Sequence, residues 1–407
     1  MTSILENKNI ILGVSGGIAA YKSVELLRLM KRDGARVRVL MTENACRFVG
    51  PLTFEALSGR RVCFSLFGEG DNASIGHIAW AEEADAVVIA PATANVIGKV
   101  ACGIGDDALT TFLMAVTAPR LICPSMNTHM FNSHAVQRNI AVLKNDGMHI
   151  LTPGSGELAC GTTGPGRLPE PEEILDRLKK LLMPQDFTKK RILVTAGPTQ
   201  EPIDPVRYIS NPSSGKMGYE IAKAAEHRGA QVILITGPTY LPEPFNIRMV
   251  HVQTASEMAD AVFEHAKESD IIIKAAAVSD YRPRSAAGHK MKKDKGEMEL
   301  QLVRNQDILA ELGKNKQQLF LVGFAAETEA LAQNAIGKLA AKNLDMIVGN
   351  IVGKKGSGFE ADTNQVTFYY PDGDHEVVPL MGKNEVAHLL LDRIMDKFPC
   401  AKRTTKK

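Results

Sequence analysis

The sequence predicts an α/β protein of two Rossmann-like, three-layer domains, residues 1–188 and 189–407. Three observations predict it. The same opening occurs twice: residues 8–42 and 190–237 each read as an apolar strand, a glycine-rich loop, an amphipathic helix and a Gly-Ala turn into a second strand. The closing turns match closely, RDGARVRVLMT at 32–42 against HRGAQVILITG at 227–237. Short apolar runs then recur at 86–90, 120–123, 271–275, 320–324 and 346–349, bounded by Gly, Pro or polar residues, as suits strands buried on both faces. Strands alternating with helices imply parallel sheets, with a ligand loop where a strand feeds a helix.

Helical stretches fall between the strands, at 23–32, 133–146, 172–182, 256–267 and 329–342. The segment MPQDFTKK at 183–190 follows a helix with Pro and polar residues, and the domain boundary is placed there. Residues 365–370 and 375–379 alternate around Pro371-Asp372-Gly373, a hairpin signal. Composition is ordinary for a globular chain, with 44% hydrophobic and 23% charged residues. A net charge of +2 gives no global pull toward nucleic acid, and KRTTKK at 402–407 reads as a solvated tail. No apolar run approaches the roughly 20 residues of a membrane span. The polar start reads as lacking a signal peptide, and six cysteines without CxxC pairing read as thiols in reducing cytosol.

Candidate ligand residues sit at the strand ends. Ser15-Gly16-Gly17-Ile18 follows the first strand and opens a helix. Glycine there allows close backbone approach, and a helix N-terminus offers N–H groups to an anion. GxGxxG is absent, so the loop is either a phosphate site or a tight turn. Pro91-Ala92-Thr93-Ala94-Asn95 and Pro124-Ser125-Met126-Asn127-Thr128-His129-Met130 also follow strand ends. LACGTTGPGR at 158–167 is a glycine-rich loop around Cys160, and Ile75-Gly76-His77-Ile78 is read as lying just before a helix.

On these motifs the first half resembles the flavin-containing cysteine decarboxylases. The whole chain resembles the bacterial bifunctional phosphopantothenoylcysteine decarboxylase/phosphopantothenate–cysteine ligases, over nearly all 407 residues. Ser125 departs from the Ala expected there. The resemblance implies a flavoprotein domain followed by a nucleotide-binding ligase domain. It implies FMN held by Ser15, Gly16, Gly17, Ile18, Thr42, Pro91, Ala92, Thr93, Asn95 and Met130. It also implies catalytic roles for His77 near the flavin, for Asn127 on the substrate's carboxylate or amide, and for Cys160 as the acid. The implied chemistry is oxidation of the substrate thiol to a thioaldehyde-like species, loss of CO2 with the carbanion delocalised onto sulfur, return of the electrons and protonation. Cys46, Cys63, Cys102, Cys123 and Cys400 are read as small buried hydrophobes.

In the second half, Ser213-Ser214-Gly215-Lys216-Met217-Gly218 opens a helix and makes an anion cradle without Walker spacing. DPVRYISNPSSGKMG at 204–218 carries the ligase resemblance. That resemblance implies an acyl-nucleotide route to the amide, with CTP as co-substrate and Mg2+ (or Mn2+) as metal. Residue chemistry alone gives only a nucleoside triphosphate. Asn211 would hold the acyl-nucleotide, and Lys290 would close over the phosphates. Lys274, Ala275, Ala276, Asp280, Gln306, Asp307, Ile308, Leu309, Phe324, Lys338 and Lys342 would contact the nucleotide, Asp280 also the metal. Gln306 stands where Pro is expected. On charge alone, the lysines of HKMKKDK at 289–295 read as a solvated loop, and Lys338 and Lys342 as a solvated helix face.

The partners implied are 4'-phosphopantothenate, cysteine and CTP, with neither nucleic acid nor membrane. The resemblance further implies a homo-oligomer of trimers and dimers, a dodecamer. A non-catalytic flavoprotein regulatory subunit would lack the acid or the base, yet His77, Asn127 and Cys160 are all present. A flavin prenyltransferase would lack the Cys160 flap and the second half. A nicotinamide-dependent dehydrogenase predicts GxGxxG, which neither loop has.

Overall fold

The computed structural model describes residues 3–65, 73–157, 161, 163–292, 298–327, 331–351 and 361–398. The chain forms two compact units, Thr2–Met183 and Pro184–Lys407. The division falls shortly before the expected 188/189. Its physical reason is Phe187, which is fully buried in the second unit's core and donates its N–H to the Arg228 carbonyl at 3.0 Å.

The N-terminal unit runs β1 (Asn9–Val14), α1 (Ala20–Arg32), β2 (Arg36–Met41), α2 (Glu43–Phe48), α3 (Pro51–Ser58), α4 (Ala73–Glu83), β3 (Ala86–Ala92), α5 (Ala94–Ala101), α6 (Ala108–Ala115), β4 (Arg120–Pro124), α7 (Thr128–Phe131), α8 (His134–Asn145), β5 (His149–Ile150), β6 (Gly154–Glu157), β7 (Thr163–Arg167) and α9 (Pro171–Leu182). Its sheet is parallel in the order β2-β1-β3-β4-β5. Strand β3 is buried at every position, which is why it reads as an apolar run without alternation. Alternate residues feed two cores. Leu12, Val14 and Val88 meet Leu26, Phe54 and Leu178 on one face. Ile11, Val87 and Ile89 meet Val96, Phe112 and Ile140 on the other. Ile75–Ile78, expected before a helix, lies inside α4.

The C-terminal unit continues β8 (Arg191–Ala196), β9 (Gln200–Pro202), β10 (Tyr208–Ser210), α10 (Lys216–His227), β11 (Gln231–Thr236), β12 (Arg248–His251), α11 (Ala255–Ala266), β13 (Ile271–Lys274), β14 (Tyr281–Pro283), β15 (Leu302–Arg304), α12 (Ile308–Lys314), β16 (Phe320–Glu327), α13 (Leu331–Ala341), β17 (Met346–Ile351), β18 (Thr363–Asn364), β19 (Val366–Tyr369), β20 (His375–Val377), β21 (Met381–Gly382) and α14 (Lys383–Lys397). The main sheet is ordered β12-β11-β8-β13-β16-β17-β19-β20. From β12 to β17 it is parallel; β19 and β20 form an antiparallel hairpin on its edge. Ile192, Val194 and Ile271 pack with Ala222 and Leu390 on one face, and Leu193 and Ile272 with Val262 and Leu339 on the other.

Both sheets are pinned by one device, an aspartate just before a strand that accepts from the start of the neighbouring strand. Asp85 takes the Asn9 N–H at 2.8 Å, and Asp270 takes the Arg191 N–H at 2.8 Å. Both sheets also reverse their winding, between β1 and β3 and between β8 and β13. Ligands of open α/β sheets bind outside the strand ends at that reversal.

Candidate active sites

The N-terminal reversal opens onto a cleft of about 1190 Å³. It is lined by Gly16, Gly17, Ile18, Thr42, Thr93, Asn95, Asn127 and Met130 of the expected set. Ser15, Pro91 and Ala92 are not among its lining. The Ser15 hydroxyl is fully buried, donating to the Pro91 carbonyl at 2.7 Å and accepting from the Thr93 N–H at 2.9 Å. Ser15 and Pro91 therefore clamp β1 to β3 and shape the loops behind the cleft.

Gly16 must be glycine for packing. A Cβ there would lie 2.4 Å from Asn44 Cβ and 2.8 Å from its carbonyl carbon. At Gly17 the nearest atom would be Thr93 Cγ2 at 3.6 Å, so the backbone is open to a ligand. No side chain caps the start of α1. Uncapped N–H groups beside an open glycine suit a phosphate. Ile18, Tyr21 and Met130 leave apolar surface exposed nearby. The cleft thus offers a phosphate-binding end and apolar walls, and these residues fit a flavin nucleotide.

Asn127 caps α7, its Oδ1 accepting from the His129 N–H at 2.8 Å. Its loop is held against β7: the Met126 N–H donates to the Gly166 carbonyl at 3.0 Å, and a Cβ on Gly166 (φ +137°) would sit 2.2 Å from the Met126 oxygen. Strands β6 and β7 pair antiparallel, and Cys160 falls between them in sequence. Cys160 itself lies outside the described residues, as does the side chain of His77. Four other thiols are free, and full burial pushes that of Cys123 far up, which makes it inert. Sequence reasoning missed Lys22, Lys99, Asp106 and Asp107, which also line this cleft. Lys99 bridges both aspartates, at 2.7 and 3.0 Å.

The second cleft, about 340 Å³, opens at the C-terminal unit's reversal. Asn211, Lys274, Ala275, Ala276, Asp280, Leu309, Phe324, Lys338 and Lys342 line it as expected. Asn211 donates through Nδ2 to the Ala277 carbonyl at 3.0 Å, which fixes it against the loop after β13. Gly215 (φ +78°) starts α10, again with no side-chain cap. Gly218 lets α10 sit on β8, where a Cβ would lie 2.6 Å from Ala196 Cβ.

Charge is concentrated here. Burial pushes Lys274 down to about 8, Lys342 adding repulsion while Asp307 and Asp280 oppose the shift. Lys342 contacts Asp307 at 2.7 Å. Burial would raise Asp307, but the Lys342 contact and the Ala310 N–H bring it below the usual carboxylate range. Gln306, Asp307 and Ile308 line a smaller adjoining cavity with Asp280. Lys290 is exposed and is not brought to either cavity. Its neighbour Met291 is anchored elsewhere, its N–H donating to Asp204 at 3.1 Å and its carbonyl accepting from Arg207 at 3.0 Å. Sequence reasoning missed Asn350, Asn364 and the buried Lys383, all from the far end of the chain. Burial, then repulsion from Lys216, lowers Lys383.

Fold and clefts together define a two-site α/β enzyme of the flavoprotein class. A family model described as Flavoprotein matches residues 2–183, and one described as DNA/pantothenate metabolism flavoprotein C-terminal domain matches residues 187–398. The Coenzyme A biosynthesis bifunctional protein CoaBC of Bacillus subtilis (strain 168) is 50% identical over 395 residues, covering 96% of this chain and 97% of that protein. Its namesake in Vibrio vulnificus (strain YJ016) is 46% identical over 393 residues, covering 96% and 98%. A crystal structure of the C-terminal domain of a protein of that name is 44% identical, covering 52% of this chain and 96% of its own, with a TM-score of 0.45. The chain belongs to the family of bifunctional coenzyme A biosynthesis proteins.

Proposed function

We propose that the C-terminal unit couples 4'-phosphopantothenate to cysteine using CTP, and that the N-terminal unit decarboxylates the product, 4'-phosphopantothenoylcysteine, to 4'-phosphopantetheine with FMN. The observation that carries this reading is two unlike clefts at the same topological place in one chain. One has an open glycine, an uncapped helix start and apolar walls; the other is ringed by lysines.

In the ligase cleft, a carboxylate oxygen of phosphopantothenate attacks the α-phosphorus of CTP, and pyrophosphate leaves. Cysteine's amine then attacks the acyl carbon, an amide forms, CMP departs and the amine's proton is lost. Lys274, Lys338 and Lys342 offset the phosphate charge. Asp280 is the one carboxylate among the described residues lining the main cleft. A single carboxylate suits Mg2+, which is held largely by phosphates and water. Asn211, fixed on Ala277, faces the acyl group.

In the N-terminal cleft, bound FMN supplies two-electron redox chemistry at the substrate thiol. The chain's residues do the rest. Gly17 and the start of α1 hold a phosphate, and Ile18 and Met130 give an apolar surface. Asn127 orients the substrate carboxylate, His77 acts beside the flavin, and Cys160 gives the final proton. A cytosolic homo-oligomer belongs to the same proposal; the apolar surface of Ile18 and Tyr21 supports association.

The test is incubation of flavin-replete chain with phosphopantothenate, cysteine and CTP, with mass detection of every product. CMP, pyrophosphate, CO2 and phosphopantetheine are expected. Phosphopantothenoylcysteine accumulating without CO2 would remove the decarboxylase assignment. Cys160→Ser should release CO2 in a single turnover yet yield no phosphopantetheine; normal turnover would remove Cys160 as the acid.

A further inference from the structure

Ser279 is 5% exposed, and its hydroxyl has no hydrogen-bond partner. Its backbone is fixed on both sides. The N–H donates to Thr199 Oγ1 at 3.0 Å, and the carbonyl accepts from Asn305 Nδ2 at 2.8 Å. Folded chains rarely leave a buried polar group unpaired, because its desolvation is uncompensated. Such an orphan at a cleft points to a ligand that completes it.

Its surroundings indicate which part of a ligand. Ser279 lines the side cavity of about 80 Å³, which shares Lys274, Val278, Asp280 and Lys342 with the main ligase cleft. The walls are polar, mixed in sign and without an aromatic face. A nucleobase would find no ring to stack on; Lys274, Arg304 and Lys342 would attract a phosphate, but the Asp280 and Asp307 carboxylates need donors that a phosphate lacks. A sugar hydroxyl fits, because it donates to a carboxylate and accepts from an ammonium or a hydroxyl.

We propose that Ser279 is a specificity residue of the ligase cleft, its hydroxyl bonding a ribose hydroxyl of the nucleoside triphosphate so that ribonucleotides are preferred over deoxyribonucleotides. This rests on the nucleotide reading above. In the free chain the serine hydroxyl is unpaired, and in the complex the sugar satisfies it. Removing the hydroxyl therefore has opposite effects on the two states.

The test is calorimetric titration of the full chain with CTP, 2'-deoxy-CTP and 3'-deoxy-CTP, without phosphopantothenate. Wild type should bind CTP about tenfold more tightly than one deoxy analogue, since a site built around a hydroxyl rejects the analogue lacking it. Ser279→Ala should bind CTP about tenfold more weakly, bind that analogue unchanged and so lose the discrimination. The melting temperature of the free variant should hold or rise. A serine with only a structural or solvated role leaves the ribo-to-deoxy ratio unchanged in the variant, and that result overturns the proposal. So does a wild type that binds all three equally. If wild type binds none of the three, the nucleotide reading fails and the proposal falls with it.

Discussion

Replacing Lys274 by methionine separates what the ligase cleft does from what holds it together. Lys274 ends β13, and burial pushes its amine from the ordinary 10.5 down to about 8. The difference between 10.5 and about 8 corresponds to roughly 3 kcal/mol of cost for keeping that charge in the fold. Allowing for solvent at the cleft mouth, about 2 kcal/mol is a reasonable expectation. The sign follows from proton binding. Between about pH 8 and 10.5 the unfolded chain holds a proton that the folded chain has lost, so this cost is full below pH 8 and gone above 10.5. Methionine keeps the apolar stem and removes the charge. Lys274→Met should therefore melt higher than wild type at pH 7, with the gain fading as the pH approaches 10.5.

The same substitution should weaken CTP binding about 10- to 100-fold, the loss expected for one charged hydrogen bond. In wild type, CTP affinity should fall about tenfold from pH 7 to 9 as the free amine loses its proton. Calorimetric melting and CTP titration of the full chain measure both. A lower melting temperature together with unchanged CTP affinity would refute the reasoning, because Lys274 would then be a structural cation rather than a ligand held at a cost.

Other substitutions test the N-terminal cleft and the second core. Gly16→Ala drives a Cβ into Asn44, so bound flavin per chain should drop and stability should fall by about 1–3 kcal/mol, read by flavin absorbance and melting. Gly166→Ala cannot keep its backbone against the Met126 carbonyl; phosphopantetheine formation should fall while CMP release stays at the wild-type rate. His388 is buried, which, with His227 and Arg228 nearby, pushes it down to about 4. The unfolded chain binds its proton near 6.5, so stability should fall by about 1–2 kcal/mol between pH 7 and 5, and His388→Leu should flatten that dependence in acid melts.

Much of the fold was legible because burial on both faces leaves its mark locally. Strand β3 and the first strands of both units read directly as apolar runs, and the paired Gly-Ala turns exposed the repeat. The cleft residues were legible where they follow a strand end, as with Gly16, Thr93 and Asn127, whereas Lys274 and Asp280 came from the family resemblance. Ser15 shows the limit. A serine in a glycine-rich loop reads alike whether it meets a phosphate or clamps two strands, and only its bonds to Pro91 and Thr93 distinguish the two. Lys290 stays an expectation: it is exposed outside both cavities, beside Met291, which is tied to Asp204 and Arg207. Lys383 and Asn364 carry no local signal at all. They reach the cleft because the chain returns past β17 to begin α14, a long-range consequence of topology.

The two units show why one architecture supports unlike chemistry. Each places a glycine-bearing loop and an uncapped helix at its sheet's reversal, so each can take a phosphate there. The first joins β1 to α1 by a short loop, packs Gly16 on Asn44 and leaves Ile18 and Tyr21 exposed. Its cleft is wide and partly apolar, as a flat cofactor requires. The second inserts the β9–β10 hairpin between β8 and α10, seats the helix on β8 through Gly218 and draws lysines from β13 and α13. Burial, and after it repulsion from Lys342, depresses Lys274, a cost that an incoming polyphosphate would relieve. The topology sets where each cleft opens; whether apolar side chains of the loop or lysines of neighbouring elements line it determines which ligand it suits.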